Sequence, residues 1–370
     1  MYRNGIHLLP ETSERQLSSI YGETDRLDVT PLSGNRWLTD GIWRIASAER
    51  SVVLKHVTAD PGGDTSPWGM HWTYRSDIET HWNYWRREFL AYRSEIPALF
   101  GSAGLRSPDL IAYEDGGNYV DLWLEECTAP AVTTWSPQQY IDAARLLGTT
   151  QGRLTAQGLV PEHSWFCRNY IGDYQSEKPF DFSIVFDDSA WQVPLIEDNF
   201  SIALRQRLRN FVDTRSELHE ILASVPVTLC HNDFWTRNLF GDTAAISVID
   251  WSFVGAGPLG SDIANLVLSA GFDGFIEPHD LPGFASSVFD GYSAGLVSGG
   301  WNGDTPAARL GMWCSAVKYV WVVPGILRSA ADPTHPIYVG YGGASFDAHV
   351  SRVATTLGHA VDWIENALTS

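Results

Sequence analysis

His231, Asp233, Asn238 and Asp250 lie within residues 229–265, LCHNDFWTRNLFGDTAAISVIDWSFVGAGPLGSDIAN, and each has a chemical use at that spacing. An aspartate two residues after a histidine, on a tight loop, can accept a hydrogen bond from a hydroxyl and aim that oxygen at phosphorus. An asparagine and a second aspartate offer one neutral and one anionic oxygen, a donor pair suited to Mg2+ bridging nucleotide phosphates. Leu239 and Phe240, the turn Gly241-Asp242-Thr243 and the run 245–249 read as two short strands that return Asn238 to Asp250. Any one of these residues alone is an ordinary turn or strand-end residue. The four in order, with a hairpin of that length between them, point to a site.

Such a site needs a frame. At 370 residues and 41.1 kDa the chain is long enough for two lobes. With 44% hydrophobic and 19% charged residues it is globular. Segments 27–32, 42–45 and 51–57 read as strands joined by turns, the first turn being Ser33-Gly34-Asn35-Arg36. That turn either folds its N–H groups over phosphates or is a plain hairpin turn. Lys55 stands alone in the apolar run Val52-Val53-Leu54-Lys55-His56-Val57. It is costly to bury unless anions meet it, the alternative being a solvent-facing place on an edge strand. Segment 77–92 has Ile78, Trp82, Trp85, Phe89 and Tyr92 at helical spacing, with Glu88 beside that face and Glu79 earlier. Residues 119–127, YVDLWLEEC, form an apolar strand that stops at Thr128-Ala129-Pro130.

Beyond Pro137 long helices are expected over 137–154 and 200–222. Between them, 162–199 mixes Trp165, Phe166, Tyr170, Tyr174, Phe180, Phe182, Phe186 and Trp191 with Asp173, Asp181, Asp187, Asp188 and Glu197. Rings and carboxylates together can bind a sugar or an amine, or the rings can be local core. After Asp262 the chain reads as helical to its end, packed by Trp301, Trp313, Trp321 and Trp363. Its most apolar run, 312–327, is interrupted by Lys318 and Pro324 and is too short to span a bilayer, so a buried helix is expected. The Gly-rich patches at 61–64, 298–303 and 340–343 read as loops.

His231-Asn232-Asp233 to Asn238, followed by Val248-Ile249-Asp250-Trp251, resembles the signature of the aminoglycoside phosphotransferase and choline kinase family, small-molecule kinases with the protein-kinase fold. The family motif reads His-Gly-Asp, the Asn five residues on, then Ile-Asp-Trp or Ile-Asp-Phe; this chain departs at Asn232. The resemblance implies an α+β, two-lobed protein-kinase-like fold: a small β-rich N-terminal lobe, 1–127, and a larger, mainly helical C-terminal lobe, 128–370. By resemblance Asp233 is the catalytic base or hydroxyl-orienting residue, with Asn238 and Asp250 as Mg2+ ligands. Lys55 then steadies the nucleotide phosphates and pairs with Glu88, or with its rival Glu79. Ser33 and Gly34 belong to the phosphate-covering turn, and the main chain of Glu125 and Cys127 binds adenine. His231 and Asp262 support the catalytic loop. Asp262, in Ser261-Asp262-Ile263-Ala264, also makes sense as a helix N-cap. The co-substrate is ATP, with GTP as the alternative.

A net charge of -19 argues against nucleic acid. It suits a cationic small-molecule acceptor, or serves only solubility. An aminoglycoside or amino sugar is therefore the first acceptor, followed by a nucleoside antibiotic, a neutral sugar or an amino alcohol. A catalytically silent nucleotide-binding module is the non-enzyme alternative. The protein-kinase signatures His-Arg-Asp, Asp-Phe-Gly and Ala-Pro-Glu are lacking. The four cysteines form no C-x-x-C pair and no zinc spacing, and the first residues hold no apolar core of signal-peptide length. Free thiols, no membrane partner and a cytoplasmic location are expected.

Overall fold

The structure, a computed structural model, describes residues 8–22, 26–32, 39–59, 75–127, 135–177, 180–242, 245–332 and 345–370. Ser33 and Gly34, the stop at 128–130, and the patches at 61–64 and 340–343 lie outside the described residues.

After α1 (Glu14–Tyr21) come three strands, β1 (Asp28–Pro31), β2 (Gly41–Ala46) and β3 (Ser51–Thr58). Two short helices follow, α2 (Arg87–Tyr92) and α3 (Ile96–Gly101), then β4 (Leu105–Arg106), β5 (Leu110–Asp115) and β6 (Tyr119–Glu125). The antiparallel sheet runs β1-β2-β3-β6-β5. Lys55 therefore sits on a central strand, opposite Ile42 on one side and Leu122 on the other, so the edge-strand alternative falls away. Ile45, Val52, Leu54 and Trp123 pack one small core with α1 residues Leu17 and Tyr21.

The helix expected over 77–92 is shorter than its apolar spacing suggests. Only Arg87–Tyr92 is helical, and residues before it form turns with a bridge between Ser76 and Tyr84. The buried Arg87 guanidinium is responsible. It donates to the carbonyls of Glu79 (2.9 Å) and Trp82 (2.8 Å), and also to that of His81, holding this stretch as a loop.

The remaining chain is mainly helical. α4 (Pro137–Gln157), α5 (Tyr170–Glu177) and α6 (Pro194–Asn199) are followed by α7 (Ile202–Asp213) and α8 (Arg215–Ser224). The single helix expected over 200–222 is thus two, parted at Thr214. Next come β7 (Val227–Cys230), β8 (Leu239–Asp242), β9 (Ala245–Val248) and β10 (Gly255–Pro258). The helices α9 (Ser261–Asp273), α10 (Leu281–Ser298), α11 (Thr305–Ser315), α12 (Val322–Ala331) and α13 (Phe346–Leu368) complete it. The apolar run 312–327 is buried, yet not one helix: a 3-10 turn, Ala316–Tyr319, separates α11 from α12. All four cysteines are free. The architecture is the two-lobed, kinase-like α+β fold.

Candidate active site

β7 pairs antiparallel with β10, and β8 with β9, so the segment between β7 and β8 is a loop pinned at both ends. Within that loop His231 is fully buried. Its Nδ1 accepts from the Asp233 amide at 3.3 Å and its Nε2 lies 3.0 Å from the Ile249 carbonyl, which fixes the ring with its proton on Nε2. Burial, the largest effect, pushes its pKa down against the pull of Asp262 and Asp250, so the ring is neutral. His231 thereby ties the Asp233 loop to the Asp250 loop.

Asp233 is more open than His231. Asn238 Nδ2 donates to its Oδ2 at 3.0 Å and to its carbonyl at 3.0 Å. Burial raises its pKa, Lys318 opposes that and Asp250 adds to it, for a net rise. The β8–β9 register sets Leu239 opposite Val248, which returns the chain from Asn238 to Asp250 as the hairpin pattern anticipates; the turn residues 243–244 lie outside the described residues.

Lys55 Nζ lies 2.5 Å from Glu88 Oε2 and 3.2 Å from Asp250 Oδ1. Ser252 Oγ closes the group, 2.6 Å from Asp250 Oδ1 and 3.4 Å from Glu88 Oε2. Burial alone would lower the Lys55 pKa, and the two carboxylates more than reverse it. Glu88 is pushed up to about 7, by burial first and by Asp250, against Lys55. For Asp250 burial acts upward, but Lys55 and Ser252 hold it below the ordinary carboxylate value. The structure thus brings Glu88 to Lys55, while the Glu79 side chain is exposed. Arg87 is the reason. Beyond the turn carbonyls it donates to Trp165 (2.7 Å) and Ser252 (3.1 Å), so it fixes its neighbour Glu88 against the Asp250 loop.

Asp262 does not cap its own helix: α9 starts at Ser261, and no side-chain cap bond is made there. Its carboxylate instead accepts from the amides of His231 (2.9 Å) and Asn232 (2.8 Å) and from Gln151 Nε2 (3.1 Å). Gln151 Oε1 in turn accepts from Tyr292 at 2.6 Å, which links the loop to α4 and α10. Glu125 ends β6, its amide donating to the Asp109 carbonyl at 2.9 Å. Cys127 is half-buried near Ser247 of β9, its thiol pushed up by burial.

Lys318 is the residue that the sequence reading passed over. Its Nζ stands 3.6 Å from Asp233 Oδ1, 2.8 Å from Asn265 Oδ1 and 3.3 Å from the Asn232 carbonyl. The signal was there: a lone cation in an apolar run, the same argument that singled out Lys55. Near this loop lies a cavity of about 1220 Å³ whose wall includes Asn232, Phe166, Tyr170, Phe180, Trp321 and Asp173. Of the aromatic and acidic residues in 162–199, Glu162, Phe166, Tyr170, Asp173, Phe180 and Phe182 line it, whereas Trp191 is buried core.

A divalent cation fits the donor set. The Asn238 side chain donates through Nδ2 to Asp233, which leaves its Oδ1 for a cation, and Asp250 is held ionised. Among the described residues no cluster of three or more His, Cys, Asp or Glu could hold a metal. A hard ion would therefore need phosphate oxygens as well, which is how Mg2+ is usually held.

Comparison with known proteins adds three findings. A family model described as "Phosphotransferase enzyme family" (APH) matches residues 177–301. An amicoumacin kinase in complex with AMP-PNP, Ca2+ and Ami is similar in structure, with 13% identity, 90% of this chain and 88% of that one covered, and a TM-score of 0.52. A thermostable mutant of aminoglycoside phosphotransferase APH(4)-Ia, in ternary complex with ADP and hygromycin B, gives 12% identity, 95% and 98% coverage and a TM-score of 0.50. Among curated proteins no sequence relative is found. The matched segment contains the His231 to Asp262 motif, so the resemblance to phosphotransferases drawn from those residues holds.

Proposed function

We propose that this chain, whose residues 177–301 match the phosphotransferase family model, is a small-molecule kinase that moves the γ-phosphoryl group of ATP to a hydroxyl. The observation that carries the reading is the joining of two loops: Asp233, held by Asn238, keeps part of its side chain exposed, and Asp250, held by Lys55, is tied to it through His231. In this reading residues 1–127 bind the nucleotide, with Lys55 on its phosphates, Glu88 fixing Lys55 and the Glu125–Cys127 main chain meeting adenine. Residues 128–370 bind the acceptor.

Asn238 and Asp250 would hold Mg2+, which when bound neutralises phosphate charge. Asp233 accepts the acceptor's hydroxyl proton while that oxygen attacks phosphorus and ADP departs. Catalysis of this type is mostly positioning and charge compensation.

A cationic amino sugar is the first acceptor on two grounds. The cavity by the catalytic loop has ring faces for a sugar and carries Glu162, Asp173 and Asp213 for ammonium groups. It also carries Arg168 and Arg215, so neutral sugars, nucleoside antibiotics and amino alcohols follow. The bound hygromycin B and Ami in the two similar structures agree with an antibiotic-sized acceptor.

The test is Mg2+-dependent ADP release from ATP and GTP over a panel of aminoglycosides, sugars, amino alcohols and nucleosides. Turnover on an amino sugar, with Asp233→Ala slowed by about 10²- to 10⁴-fold and AMP-PNP affinity nearly unchanged, is the expected result. Near-normal turnover by Asp233→Ala would remove the assignment. Nucleotide binding with no turnover on any acceptor would favour a silent binding module.

A further inference from the structure

Lys318 is carried by the 3-10 turn between α11 and α12, and that break in an otherwise apolar helical run is what delivers its ammonium to the catalytic loop. Two neutral oxygens, Asn265 Oδ1 and the Asn232 carbonyl, take hydrogen bonds from Nζ; the Asp233 carboxylate stands at 3.6 Å. The rings of Tyr170 and Tyr174 lie 5.0 and 5.6 Å from the cation. A buried ammonium is costly unless it is compensated, and here the hydrogen bonds go to two neutral oxygens while the carboxylate stands just beyond hydrogen-bond range. On the other side of the same carboxylate, Asn238 Nδ2 holds Oδ2 at 3.0 Å.

We propose that Lys318 is a positioning residue for phosphoryl transfer, acting through Asp233: Asn238 fixes one carboxylate oxygen and the Lys318 ammonium the other, so the carboxylate plane is set from both sides. The inference rests on the functional reading above. In the step itself the acceptor oxygen bonds to the γ-phosphorus, the bond from phosphorus to the β,γ-bridging oxygen breaks, ADP leaves with that electron pair, and the hydroxyl proton passes to Asp233. Lys318 keeps its proton throughout. Val320 and Trp321, the next residues but one and two along the chain, line the cavity together with Tyr170. An acceptor seated there would touch Tyr170 and Asn232, two of the residues around the ammonium.

The experiment compares wild type, Lys318→Met and Lys318→Ala with Mg·ATP and whichever acceptor the panel yields. Lys318→Met keeps most of the volume and removes the charge. Its kcat is expected to fall about 100-fold while the KM for ATP and the affinity for AMP-PNP stay within about threefold. In Lys318→Ala, added ethylammonium is expected to restore kcat at least about tenfold, with the same concentration of KCl having no effect. Wild-type turnover accompanied by a Lys318→Met kcat within about threefold, or by no amine response in Lys318→Ala, overturns the inference alone. Should wild type bind AMP-PNP and turn over nothing, the functional reading fails and takes the inference with it.

Discussion

Asn232 and Asp250 share a backbone angle, φ 64, that non-glycine residues rarely adopt. At Asn232 the angle lets both its own amide and that of His231 point at the Asp262 carboxylate, while its side chain donates to the Phe253 carbonyl at 2.8 Å. This accounts for the departure from the family's glycine, because asparagine tolerates the left-handed region better than other side-chain-bearing residues. Asn232→Gly should therefore keep stability within about 1 kcal/mol and retain most activity. Asn232→Ala, which loses the Phe253 bond and gains backbone strain, should cost roughly 2 kcal/mol. Denaturant midpoints of the two variants check this, and equal midpoints would remove the backbone argument. At this scale the sequence was most legible where chemistry is written in side-chain type and spacing, as in His231, Asp233, Asn238 and Asp250. It was least legible for Arg87 and Lys318, whose partners are main-chain carbonyls or residues far along the chain.

Among the elements, α4 and α10 set the site at a distance. A Cβ on Gly152 would stand 2.4 Å from the Leu296 carbonyl, and one on Gly295 would stand 2.1 Å from the Arg145 carbonyl, so the two helices cross in backbone contact. Through that crossing Tyr292 reaches Gln151, which reaches Asp262 and the catalytic loop. Helix propensity alone favours Gly295→Ala by about 1 kcal/mol. The clash outweighs it, since overpacking typically costs about 1 to 3 kcal/mol and more where, as here, the atom met is a backbone oxygen that moves only with its helix. Gly295→Ala should therefore lower the thermal midpoint and slow turnover even well below it; a rise in midpoint would show that the crossing has slack. Four strands of the sheet and the β8–β9 hairpin were readable because period and turn residues are local, whereas β5 was not singled out. Segment 77–92 was not, because its true determinant, the five carbonyls around Arg87, is tertiary. The same holds for 312–327, where apolarity marks burial and says nothing of the 3-10 turn that presents Lys318.

For the whole molecule, the net charge of -19 speaks to solubility and partners more than to the site, since the cavity mixes carboxylates with Arg168 and Arg215. Its effect on stability is better tested through a buried titrating group. His349 on α13 is buried, and burial, helped by the nearby Arg352, lowers its pKa from 6.5 to about 4. Between those values the unfolded chain binds a proton at this residue and the folded chain does not, so stability falls as pH drops from 6.5 toward 4 and is unaffected above. The full effect is on the order of 3 kcal/mol, given the drop to about 4. Carboxylates elsewhere also titrate in this range, so the difference between two proteins is the proper readout. His349→Leu removes the proton site while leaving an apolar filler. Its thermal midpoint should match or exceed that of wild type near pH 7.5 and fall less steeply with acid, so that the gap in its favour widens between pH 6.5 and 4. Parallel pH curves would mean that His349 titrates alike in both states and that acid sensitivity arises elsewhere.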